Sequence, residues 1–140
     1  MKELNFDSGV EEYRIAGGGV LRFNPGDPNL YSRFMEATEK LADMEKSLSR
    51  QSTGGQAPEQ TLHLLWETDR QMKQLLDWVF GGDNDFDKAL GGVNLLAVGA
   101  GGERVVTNLF AALGEILTAG AKEFANGEVA RAKARRTAHE

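Results

Sequence analysis

The stretch Phe23-Asn24-Pro25-Gly26-Asp27-Pro28 separates two incompatible periodicities and fixes where sheet must give way to helix. Before it, apolar residues alternate with polar ones, the period of a strand with one buried face. After it, they recur every three to four positions, the period of an amphipathic helix. Pro25 and Gly26 supply a turn. Asp27 can accept bonds from the free N–H groups of a helix start, and Pro28 suits the first helical position, where no N–H is needed. The chain therefore reads as a small sheet leading into helices.

Leu4 and Phe6 alternate with polar neighbours, and Asp7-Ser8-Gly9 follows as a turn signal. Val10, Tyr13 and Ile15 form a second extended run. Gly17-Gly18-Gly19 can reverse the chain, and Val20 to Phe23 makes a third strand. The pattern predicts an antiparallel β-meander over 3–23 with one apolar face, too small to stand without helices packed on it. Leu30, Phe34, Ala37, Leu41, Met44 and Leu48 then mark one stripe of a helix over about 28–50. Gln51 to Ala57, with Ser52, Thr53, Gly54 and Gly55, reads as a link, and Pro58 opens a second helix that Gly81-Gly82 ends near Phe80. Phe86, Ala89 and Leu90 suggest a short helical turn capped by Asp83, Asn84 or Asp85, and Val93 to Val98 is apolar and of ambiguous type. A last helix is expected over about 103–125, with Val105, Val106, Leu109, Phe110, Leu113, Ile116 and Leu117 inward and Asn126-Gly127 as its stop. Residues 126–140 read as a flexible basic tail. The expectation is one mostly helical α+β domain over 1–125, a meander on three main helices.

At 140 residues such a chain can bury roughly two-thirds of the surface it exposes when unfolded. The net charge of -5 argues against general binding to nucleic acid through phosphate neutralisation. The absence of cysteine removes disulfides, thiolate metal sites and thiol nucleophiles, and fits a reducing compartment. No window approaches the roughly 20 apolar residues of a membrane span, and no signal-peptide run opens the chain. The expected setting is the cytoplasm.

Motifs for chemistry fall short on inspection. Val93 to Gly102 offers an apolar run, glycines and a helix, but the third glycine of a dinucleotide fingerprint falls on Arg104, and no second parallel strand follows. Glycines that turn the chain into a helix account for it. Asp83, Asp85 and Asp87 alternate like the start of a calcium loop, yet its central glycine and closing glutamate are missing. His63 and His139 have no companion ligands and read as surface residues. No serine elbow and no marked acid pair is present. Neither a cofactor nor a catalytic residue is expected.

The second helix carries more apolar surface than one face can hold. Leu62, Trp66, Leu76, Trp78 and Phe80 cannot share a side with Leu65, Met72 and Val79. Either this helix is sandwiched inside the domain or part of it meets another chain. Aromatic anchors and exposed apolar patches mark partner sites, which makes Trp66, Met72, Trp78 and Phe80 the candidate partner-binding residues.

Asn5-Phe6-Asp7-Ser8-Gly9, Tyr13-Arg14-Ile15 and Phe23-Asn24-Pro25-Gly26-Asp27, with Phe34 downstream, resemble small tail-region proteins of phages and prophages of Gram-positive bacteria, classed as tail assembly chaperones or as an uncharacterised tail-region family. The likeness continues through Trp78-Val79-Phe80, Phe86 and Gly91-Gly92-Val93-Asn94 to a final apolar helix and basic tail. It departs at Gly17 to Gly19 and Gly99 to Gly102. The resemblance implies a non-enzymatic helper of tail morphogenesis in the bacterial cytoplasm. Such a helper binds the tape measure protein, the tail tube protein or both, helps tube subunits polymerise around the tape measure, tends to form homo-oligomers and leaves before the virion is complete. The alternative is a virion structural protein, such as a tail completion or head–tail joining component.

Overall fold

The computed structural model describes residues 1–52 and 54–138; Thr53 of the expected link, His139 and Glu140 lie outside the described residues. The order is β1 (Glu11–Arg14), β2 (Val20–Phe23), α1 (Pro28–Ser52), α2 (Pro58–Phe80), α3 (Phe86–Ala89) and α4 (Val105–Ala138). This is the expected mostly helical α+β architecture. The transition box works as its residues dictate: Asn29 donates its N–H to Asp27 Oδ1 at 2.9 Å, with Pro28 at the first helical position.

The sheet has two strands, where the alternation predicts three. β1 and β2 pair antiparallel, with Tyr13 opposite Leu21 and Glu11 opposite Phe23. Leu4 and Phe6 stand 89% and 78% exposed outside any strand, because the Asp7–Gly9 turn is tied to Asn24 and not to a returning strand. The hairpin closes at the triple glycine, where Gly17 and Gly18 hold φ of 107° and 104°. Gly19 serves packing: a Cβ there would meet the Ala89 carbonyl oxygen.

α2 is the centre of the core. α1 packs along one side, with Arg33 Nε donating to the Val79 carbonyl at the α2 C-terminus (2.8 Å). The hairpin and α3 close another side through a run of rings, Tyr13–Phe23–Phe80–Phe86, with centroids 4.5, 5.0 and 5.2 Å apart. Residues 94–96 cover the remaining flank, burying Leu95 and Leu96.

α4 bears out the expected start and corrects the sequence reading at its C-terminal end. Gly99 to Gly102 form a tight loop into it, with a Val98–Arg104 bridge and Gly102 at φ 88°. The helix then passes Asn126-Gly127 and runs to Ala138, so residues 126–138 are helical and not an irregular tail. Asn and Gly cost about 1 kcal/mol or less in a helix interior, which flanking Ala, Glu, Lys and Arg outweigh when no proline intervenes. Only Val106, Leu113 and Leu117 of α4 are buried. Val105, Leu109, Phe110 and Ile116 are half-buried, with Phe110 stacked on Phe34 at 5.0 Å.

Candidate functional site

Four residues of α2 were singled out by their excess of apolar surface, and the fold divides them. Met72 and Phe80 are core residues, 0% and 7% exposed. This corrects their assignment to a partner surface: α2 is covered from several sides, so a stripe wider than one face still finds neighbours. Trp66 and Trp78 remain about half exposed, at 51% and 47%, and Leu62 lies bare one turn before Trp66. The two indoles do not form one patch. Twelve residues of helix set them roughly 18 Å apart along the axis and about a third of a turn apart around it.

Each exposed indole is held by charge. The Arg70 guanidinium lies 4.9 Å from the Trp66 ring centroid, and the His63 ring stacks near it at 5.8 Å. The Lys40 ammonium sits 5.2 Å from the Trp78 ring. Cation–π contacts at exposed sites contribute about 0.5–1 kcal/mol, enough to favour one orientation without burying the ring.

Beside Trp66 a cleft of about 410 Å³ opens between α2 and the loop that returns from α3. Its floor is a charged triad absent from the sequence reading, a buried Lys73–Asp69 pair joined by an exposed Asp87: Lys73 Nζ lies 3.0 Å from Asp69 Oδ2 and 2.6 Å from Asp87 Oδ1. Asp69 also accepts the Leu95 N–H at 2.7 Å, and Asp77 accepts the Phe86 N–H at 2.8 Å. Burial pushes the Asp77 carboxyl above the usual aspartate range, Asp85 and Asp87 add to the rise, and the Phe86 N–H only partly offsets it. Among the described residues, every buried side-chain nitrogen or oxygen has a partner, and no group of three or more His, Asp or Glu could hold a metal ion. These polar groups are engaged in fixing the 85–95 loop.

The acidic run resolves the same way. Asp85 caps α3 by accepting the Lys88 N–H at 3.1 Å, Asp87 joins the triad, and Asn84 binds the β2 backbone. The signal for the triad was legible in outline. Asp69 and Lys73 sit one turn apart on the inward side of α2, where a lone charge would be costly and a paired one is required. What Asp87 and Leu95 contribute lies 14 and 26 residues away and only the fold brings them in.

A second cleft of about 400 Å³ lies between the transition box and α4. The box backbone touches α4 so closely that a Cβ at Gly120 would collide with the Pro25 carbonyl. Phe124 and Val129 stand exposed along the helix beyond it. No helix among the described residues is long and apolar enough to cross a membrane. No protein-family model matches the chain, and neither a curated protein nor a solved structure is significantly similar to it.

Proposed function

We propose that the protein is a phage or prophage tail assembly chaperone that works without catalysis in the bacterial host cytoplasm. It holds apolar helical segments of the tape measure protein, with the tail tube protein as a further partner. The observation that carries this reading is the pair of half-exposed indoles, Trp66 and Trp78, with Leu62 beside the first, on a helix whose other apolar residues are packed. An acidic body keeps such a protein soluble while its aromatic surface engages apolar helices. The resemblance at Phe23 to Asp27 and at Gly91 to Asn94 supplies the biological setting. Met72 and Phe80 have no part in the contact surface and serve to hold α2 in place.

Co-expression with the tape measure protein tests this directly. The expected result is a soluble complex that co-purifies; no complex and no gain in solubility would end the reading. Trp66→Ala and Trp78→Ala should each weaken that complex about tenfold or more, as aromatic anchors do. Helical circular dichroism should be retained, because neither ring is enclosed. Mass spectrometry of purified particles should find the protein missing, and its retention would make it a virion structural component.

A further inference from the structure

The two edges of the small sheet are treated differently. At the β2 edge, the Asn84 side chain acts as a stand-in strand: the Arg22 N–H donates to its Oδ1 and its Nδ2 donates to the Arg22 carbonyl, both at 2.8 Å. Arg22 therefore points its main-chain groups outward, and by the alternation of an antiparallel ladder Glu12, opposite it, and Arg14 do the same on β1. Among the described residues, nothing outside the hairpin bonds to the main chain of Glu12 or Arg14. An open strand edge of this kind is a template for pairing.

The segment preceding it has the opposite want. Leu4 and Phe6 alternate with Glu3 and Asn5, carry the exposure noted above, and belong neither to the core nor to the partly buried residues packed against it. In its own chain this arm stays off the β1 edge. Its base is fixed by Gly9 N–H to Asp7 Oδ1 (2.9 Å), by Asn24 Nδ2 to the Ser8 carbonyl (3.1 Å), and by Gly9 at φ 74°.

We infer that the arm of one copy, residues 2–6, adds as a third antiparallel strand to the open β1 edge of a second copy. Side-chain chemistry selects the register. Leu4 opposite Tyr13 places Leu4 and Phe6 on the face shared by Tyr13 and Ile15, which pack against the core. The same register sets Glu3 opposite Arg14, and among the described residues neither has an ion-pair partner. A slip of one residue would turn both apolar side chains to solvent. Each copy brings one arm and one edge, so two copies satisfy both by reciprocal exchange. The inference stands apart from the proposed chaperone function, since it uses neither tryptophan.

The absence of native cysteine makes the test clean. Asn5→Cys in one preparation and Glu12→Cys in another, mixed under mild oxidation, would face each other at about 5.5 Å between Cα atoms, within disulfide reach. Far-UV circular dichroism checks that both exposed substitutions leave the fold intact. The expected result is a covalent dimer with a peptide linking positions 5 and 12, formed from the mixture and not from either variant alone. Adding Glu3→Arg to the first variant should slow cross-linking several-fold, and adding Arg14→Glu to the second should restore it. A double variant, Asn5→Cys with Glu12→Cys, that gives an internally linked monomer would show the arm folding onto its own edge and overturn the inference. So would an absence of cross-linking, or equal yields from each variant alone.

Discussion

α2 and α4 are both long helices with broad apolar surfaces, yet they meet opposite fates. α2 buries Met72, Leu76, Val79 and Phe80 together with Thr68, Asp69 and Lys73. α4 is eleven residues longer, 34 against 23, and buries only Val106, Leu113 and Leu117. The difference lies in the number of neighbours. α2 is enclosed by α1, the hairpin, α3 and the 94–96 loop, whereas α4 leans on α1 and touches the transition box at Gly120. A helix surrounded on several sides tolerates charge inside it only as a satisfied network. A helix held on one side is free to project its second half.

That contrast can be broken most severely at Lys73. Lys73→Ala leaves Asp69 buried without its cation and should cost about 3–5 kcal/mol in urea unfolding. Lys73→Met combined with Asp69→Asn should recover much of this, since the amide oxygen can still accept the Leu95 N–H while both charges are gone. A single variant with unchanged stability would mean that the Lys73–Asp69 pair is not enclosed as described.

On α4, one substitution should have opposite signs at two sites. Gly120→Ala drives a methyl into the Pro25 carbonyl and should destabilise by about 1–3 kcal/mol. Gly127→Ala meets open space at a helical position without positive φ, and should raise stability by up to about 1 kcal/mol. Thermal melts compare the two directly, and equal effects would dissolve the distinction between the docked and projecting halves of α4.

The smallest effect is expected at Asp77. Its folded-state proton affinity is raised mainly by burial, so ionisation weighs against the fold at neutral pH and the fold gains as pH drops through the raised value. Asp77→Asn keeps an acceptor for the Phe86 N–H while removing the charge. It should flatten that acid-side gain in a pH series of melting temperatures; an unchanged pH profile would remove Asp77 as its source.

The helix boundaries were largely legible because proline and glycine act locally: Pro28, Pro58 and Gly81 stand where α1 and α2 begin and end. Gly127 misled because a glycine ends a helix only when the backbone turns left-handed there, a choice its immediate sequence does not make. Leu4 and Phe6 misled because alternation marks a strand's faces without naming its partner. Of the candidate contact residues, Trp66 and Trp78 were found by composition, but nothing in their spacing distinguished them from Met72 and Phe80.

Composition, punctuation and periodicity by themselves set the hairpin and the helices of this protein, the start of each major helix and the apolar surplus of α2, because all of these depend on neighbours within a few residues. Tertiary structure alone decided which part of that surplus is covered, that Lys73 would find Asp87, and that Asn84 would close one sheet edge and leave the other open. Those outcomes depend on groups tens of residues apart in sequence, whose meeting is determined by how the helices pack and not by any local preference.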